Sequence, residues 1–255
     1  GHKDSIKRIA DSIGFDLSNI EIIDEPDNVK ASKIAVSLVS SKQADMVMKG
    51  LVETATFLRA VLDKETGLRT GKVLSHVAVF ETPAIGRLML LTDAAMNIAP
   101  DLAAKKQILE NAVGIAHAMG IEMPKVAPVA AVEVVNPDMP ATIDAAVLSK
   151  MNERGQIKGC IVDGPLAIDN AISEEAAKHK GINSPVAGNA DIILVPDIVS
   201  GNVMYKTMTY TANAKTGAIL AGAAAPVILT SRADSPESKH ISIALASLVA
   251  SNKKK

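Results

Sequence analysis

An α/β architecture with mostly parallel strands is the fold class this sequence predicts, and three observations carry that prediction. Strand-like and helix-like segments alternate along most of the 255 residues. The strand-like runs are short and almost wholly Ile, Leu, Val and Met, as in strands covered on both faces. Several helical segments are followed by glycine where a left-handed cap belongs, at Gly14, Gly120 and Gly181.

Residues 4–13 set Ile6, Ile9, Ala10 and Ile13 at helical spacing, and residues 20–23 form a short β-rich run. A helical pattern over 29–39 leads to a strand at 45–48. Thr54 can cap a helix carrying Phe57, Leu58, Val61 and Leu62. Two apolar runs, 72–80 and 87–91, follow with no helical pattern between them, so a domain boundary is expected there. Beyond them the rhythm resumes. Helices are expected at 101–119, 141–151, 167–179, 203–212 and 236–249, with strands at 126–132, 159–162, 191–195 and 226–229. Met46, Met48, Met204 and Met208 read as core filler.

Composition removes several function classes. With 27 basic and 28 acidic residues, the chain has no electrostatic case for a nucleic-acid or anionic-membrane partner. Two Tyr, three Phe and no Trp leave little for a base-stacking platform. Cys160, the single cysteine, precludes an internal disulfide and reads as a buried structural thiol in mid-strand. The uncharged stretch 216–231 is broken by Gly217, Gly222 and Pro226 and falls short of a membrane span. No signal-peptide pattern is read at the start, and the expectation is a soluble cytoplasmic protein. Neither a Rossmann nor a P-loop glycine fingerprint is present, no GxSxG elbow surrounds Ser231, and the five histidines lie in separate elements without metal-ligand spacing. No metal site is expected.

Ligands of α/β sheets collect where strands hand over to helices. Residues 230–237 offer Ser231, Arg232 and Asp234 ahead of a helix whose N-cap and first residue would be Ser235 and Pro236, with Glu237 complementing the dipole. Such a helix end suits an anion, though from pattern alone a well-capped helix is the slightly favoured reading. Residues 196–202 form a second candidate loop, where Gly201 permits close approach and Asn202 can bond a phosphate or amide. Lys49 and Gly50, ending a strand, with Arg59 on the next helix, form a third.

Several segments together carry a family likeness. Ser184, Pro185 and the run from Val186 to Asp191, then Val195-Pro196-Asp197, Gly201-Asn202, Tyr205-Lys206 and Ser231-Arg232 resemble the phosphate acyltransferase (phosphotransacylase) family. Leu91-Thr92-Asp93-Ala94-Ala95-Met96-Asn97, Val135-Asn136-Pro137, Met139-Pro140-Ala141-Thr142 and Asp163-Gly164-Pro165-Leu166-Ala167 narrow the likeness to its phosphate butyryltransferase branch. The resemblance covers essentially the whole chain. It implies reversible transfer of a short acyl group between coenzyme A, a substrate and not a bound cofactor, and inorganic phosphate. It also implies an isocitrate/isopropylmalate dehydrogenase-like fold of two α/β/α domains with the site in the cleft between them. Residues 1–72 with 221–255 would form domain I, and 73–220 an inserted domain II through which a homodimer forms.

Carried over residue by residue, Ser231 and Arg232 fall on the family's serine–arginine pair and Arg59 on its second phosphate-binding arginine. Gly201 and Asn202 fall where the family lines its coenzyme A and phosphate cleft. Two departures stand out. In the acetyl-specific branch a carboxylate follows the serine by seven positions; here that position is Ser238, which leaves Glu237 and Asp234 as candidates for the base. The resemblance also implies a further strand–helix unit ahead of Gly1. A phosphate acetyltransferase and a non-catalytic acyl-CoA-binding domain of the same fold are the alternative readings.

Overall fold

The computed structural model describes residues 1–231 and 234–252. In chain order the elements are α1 (Lys3–Ile13), α2 (Asn28–Ser40), β1 (Val47–Met48), α3 (Thr54–Val61), β2 (Ser75–Glu81) and β3 (Leu88–Thr92). They continue as α4 (Leu102–Ala118), β4 (Lys125–Pro128), α5 (Pro140–Glu153), β5 (Ile161–Val162), α6 (Ile168–Ile172), α7 (Glu174–His179) and β6 (Ile192–Leu194). The last are α8 (Ile198–Thr211), β7 (Lys215–Ala221), β8 (Val227–Ile228) and α9 (Pro236–Asn252). Gly14 ends α1 with φ 65°, a conformation that glycine adopts without the Cβ penalty.

The strands form one mixed sheet in the order β1-β8-β7-β2-β3-β6-β4-β5. The expectation of mostly parallel pairing holds at the flanks, where β1/β8, β3/β6, β6/β4 and β4/β5 are parallel. The middle is antiparallel: β2 pairs with β3 on one side and with β7 along its whole length on the other, and β7 meets β8 antiparallel. β7 lay in a segment without an expected strand. Its Thr, Gly and Ala content masks the β pattern, and its small residues are there because α9 presses on it. A Cβ on Gly217 would stand 2.5 Å from Ile241 Cγ2.

Two other expectations change. Residues 20–23 form no strand, because β1 bonds only to β8 and no described strand lies beside that run to complete a ladder. The helix expected over 167–179 splits into α6 and α7 at Ser173, whose extended backbone breaks the first helix while its hydroxyl caps the second through Ala176 N. Met48 is half-exposed at the sheet edge, not core filler.

Alternation along the strands assigns the two faces of the sheet. Val77 and Val79 of β2, Leu90 of β3 and Ile219 of β7 point to one face, in a continuous core closed by α4 and α9. The opposite face carries two separate cores. Val47, Leu220 and Val227 pack under α2 and α3, whereas Ala78, Phe80, Leu91 and Ala218 pack under α6, α7 and α8. On β2 the seam between them falls at His76, whose partner Leu220 belongs to the first core while the next same-face pair, Ala78 and Ala218, belongs to the second.

Candidate functional site

β1 and β8 run parallel, and Lys49 N donates to Ile228 O at 3.0 Å, so both strands release their following loops at one end. Lys49 and Gly50 leave one strand there and Thr230 and Ser231 leave the other. The Lys49 ammonium is buried and donates to Gly50 O and Val52 O, at 3.3 and 3.1 Å. Arg59, one helix on, is exposed, and its guanidinium rests on its own helix through Ala55 O and Thr56 Oγ1. It makes no ion pair among the described residues.

Ser231 is exposed, and its backbone N–H donates to Asp234 Oδ2 at 2.6 Å. Ser235 caps α9 as expected: its hydroxyl accepts Ser238 N at 3.1 Å, and Pro236 is the first helical residue. The Ser238 hydroxyl, standing where the acetyl branch has its carboxylate, lies 3.1 Å from Ser235 Oγ and 3.3 Å from Thr216 Oγ1. Glu237 turns towards Lys215 at 3.7 Å, an exposed pair of little energetic weight. Arg232 lies outside the described residues.

Gly201 and Asn202 are not in a loop but in the first turn of α8. Asp197, with its side chain accepting Ser200 N at 2.8 Å, starts the helix five residues earlier than the sequence pattern suggested. That backbone bond is the main reason the Asp197 carboxyl sits below its ordinary range, outweighing the opposing effect of burial. Gly201 is needed by close approach: a Cβ there would stand 2.5 Å from Asp93 O and 3.0 Å from Ala94 Cα. Asn202 Nδ2 ties the same turn to Ala94 O at 3.1 Å. The start of α8 is thus seated on the end of β3.

Four side chains near the seam, Asp93, Asn97, His76 and Tyr205, have no site role in the sequence reading. Asp93, which follows β3, is buried and accepts backbone N–H groups from Ala95, Met96 and Asn97 at 2.9, 3.0 and 3.2 Å, together with the Asn97 amide. Asn97 Nδ2 also reaches Leu74 O, just ahead of β2. His76 is 6% exposed, and Tyr205 of α8 meets it edge to face with ring centroids 5.8 Å apart. Burial holds the His76 pKa below its usual range, while the charges of Asp93 and Asp234 pull it upward. Tyr205 is raised, chiefly by burial. The run from Asp93 to Asn97 stands out in the sequence only for its family likeness, and no turn is read there. His76 had no local signal, because its neighbours come from three distant segments.

The neutral state of His76 gives a stability prediction. Below about pH 6.5 the unfolded chain takes up a proton that the buried imidazole resists, so stability is full above that value and falls as pH drops. Between pH 6.5 and 5 the thermal midpoint falls, by at most about 1.4 kcal/mol of stability per pH unit from this group. His76→Gln flattens that slope in a calorimetric series; an unchanged slope assigns it elsewhere.

A cavity of about 640 Å³ sits between α4, α9 and the turn at Gly222, and one of about 470 Å³ is lined by Arg69, Lys72, Met96 and Asn97. Cys160 is buried and its thiol is pushed up to about 11, first by desolvation, so it is a poor nucleophile. Among the described residues no helix is long and apolar enough to cross a membrane, and no cluster of potential metal ligands occurs.

Comparison with known proteins converges on one family. The model described as "Phosphate acetyl/butaryl transferase" matches residues 2–247. A phosphate butyryltransferase from Clostridium acetobutylicum is 64% identical over 253 residues, covering 99% of this chain and 84% of that protein. A phosphate acetyltransferase from Thermotoga maritima is 49% identical over 250 residues, covering 98% and 85%. Among solved structures, a branched-chain phosphotransacylase from Enterococcus faecalis V583 superposes with a TM-score of 0.84 at 40% identity, covering 91% of this chain and 86% of that one. A single mixed sheet flanked by helices and a match along nearly every residue agree: the chain belongs to the phosphate acetyl/butaryl transferase family of acyltransferases.

Proposed function

We propose that this acyltransferase moves a butyryl group reversibly between coenzyme A and inorganic phosphate, in the seam between the α3 and α8 sides of the sheet. The observation that carries the reading is that β1 and β8 release the Lys49–Gly50 loop and the Ser231 loop at one end of the sheet, with the capped start of α9 directly after the second. Helix N-termini and their N–H groups suit a phosphate. Residues 1–72 with 221–255 form one lobe in this reading and 73–220 the other, supported by the two separate cores on the seam face. A homodimer joined through the second lobe, working in the cytoplasm, completes it.

Arg59 and Arg232 hold the phosphate, and Lys49 and Gly50 border it. Gly201 and Asn202 line the path of coenzyme A. Ser231, or an N–H at the start of α9, stabilises the oxyanion that develops when phosphate attacks the thioester; one such donor is worth on the order of 10²–10³ in rate. Asp234 holds the Ser231 backbone, and Glu237 is the second residue of α9. Transfer is direct, with no acyl-enzyme, so quenching the reaction mid-turnover leaves no acyl group on Ser231 or Cys160.

The test is thiol release from acetyl-, propionyl- and butyryl-CoA with and without phosphate. Phosphate-dependent release that is fastest with butyryl-CoA supports the reading, whereas release independent of phosphate refutes it. A methylene in an apolar pocket is worth about 1–3 kcal/mol, so the preference over acetyl is graded. Arg59→Ala and Arg232→Ala each remove a charge-assisted contact of about 1.5–3 kcal/mol, raising the phosphate KM roughly 10- to 100-fold. An unchanged phosphate KM takes that arginine out of the site.

A further inference from the structure

We propose that His76 is the general base of the reaction, taking the coenzyme A thiol proton and returning it to the departing phosphate. The inference rests on the acyl-transfer reading and adds a residue to it. Its first support is position. His76 lies on the sheet face where the two cores part, under Tyr205 in the middle of α8 and within reach of the charges of Asp93 and Asp234.

The second is an unmet hydrogen bond. Among the described residues the buried Nδ1 of His76 has no partner, and buried polar atoms are rarely left so. The imidazole is neutral at rest, so one ring nitrogen carries a lone pair ready for a proton.

The third is that the carboxylates at hand are already engaged. Asp93 accepts four hydrogen bonds from the turn it closes, Asp234 accepts Ser231 N, and Glu237 faces Lys215. The groups facing the imidazole suit a proton that arrives and leaves. Asp93 at the end of β3 and Asp234 ahead of α9 favour the imidazolium, and Tyr205 of α8 meets the ring uncharged. Burial returns the ring to neutrality once the proton is passed on.

In the direction that consumes acyl phosphate, the thiol S–H bond breaks and its proton goes to His76 as sulfur bonds the acyl carbon. The acyl carbon–oxygen bond to phosphate then breaks, and His76 gives the proton to the leaving phosphate oxygen. Acyl phosphate dianion and thiol become thioester and hydrogen phosphate dianion, and His76 ends neutral. The reverse direction retraces the same steps.

The test follows butyryl phosphate plus coenzyme A, and the reverse reaction, from pH 5 to 9 in the intact wild type and in His76→Gln. The wild type should lose kcat below a single acidic ionisation. His76→Gln should lower kcat by roughly 10²–10⁴-fold, leave the KM for butyryl-CoA within about threefold, and lack that ionisation. A kcat within about threefold of wild type with the acidic limb intact would overturn the proposal. If the variant does not fold, ¹⁵N-histidine NMR of the wild type decides: a His76 titration matching the kinetic limb supports the assignment, and a mismatch ends it. Asp234→Asn should move the limb to lower pH, since a charge favouring the imidazolium is gone; an unmoved limb counts against His76. A wild type that releases no thiol with phosphate overturns the acyl-transfer reading and this inference with it. An active wild type with an unaffected variant overturns the inference alone.

Discussion

Gly201→Ala loses on the order of 100-fold in phosphate-dependent thiol release while remaining folded. The added Cβ would stand 2.5 Å from Asp93 O, 2.8 Å from Val195 Cγ2 and 3.0 Å from Ala94 Cα. Two of those neighbours are backbone atoms of the segment closing β3, which cannot rotate away. The start of α8 must therefore lift by a fraction of an ångström to about one ångström, stretching the Asn202–Ala94 bond. Displacements of that size in a positioned site cost about 10²-fold. Overpacking costs about 1–3 kcal/mol, offset by about 1 kcal/mol because Ala is the better helix former. The thermal midpoint therefore falls by only a few degrees. Gly114→Ala is the control: it lies within α4 with nothing within 4 Å of an added Cβ, so it keeps full activity and gains slightly in stability. Equal activity in the two variants would show that α8 need not sit so tightly on β3.

Asp93→Ala has the largest expected effect on stability. One carboxylate closes the turn after β3 by accepting three backbone N–H groups and the Asn97 amide, and Asn97 passes the constraint to Leu74 O. Bonds to a charged acceptor are worth about 1.5–3 kcal/mol each and are not additive within one network, so a loss of about 3–4 kcal/mol is expected. For a chain of this size that is roughly 10 °C in Tm. Asp93→Asn falls between, because one carbonyl oxygen still accepts while the amide group presents donors to donors. A Tm shift under about 2 °C for the alanine variant would mean that the turn is held by other contacts.

The sequence revealed some parts of this architecture and hid others for physical reasons. Helix ends were readable where the stop is local chemistry, as at Gly14 and at Ser235-Pro236. The start of α8 was placed too late because the pattern followed apolar spacing from Val203, whereas Asp197 caps the helix through a side-chain bond that periodicity does not register. The strand β7 was missed because small residues at the α9 contact weaken its β pattern, and its partner β2 lies about 140 positions earlier in the chain. Ser231, Asp234, Lys49 and Gly50 were singled out because they stand in loops following strands, and the parallel pairing of β1 with β8 releases those loops at one end of the sheet. His76 was not legible. Its setting is composed of Asp93, Tyr205 and Asp234, which meet only once the sheet closes.

The central claim is that phosphate, not water, receives the acyl group in the seam. Phosphorus-31 NMR of the wild type with butyryl-CoA and inorganic phosphate tests it most directly. The account predicts a new acyl phosphate resonance growing in step with free thiol, then disappearing when excess coenzyme A is added. Thiol appearing without that resonance, with inorganic phosphate unchanged, would contradict it.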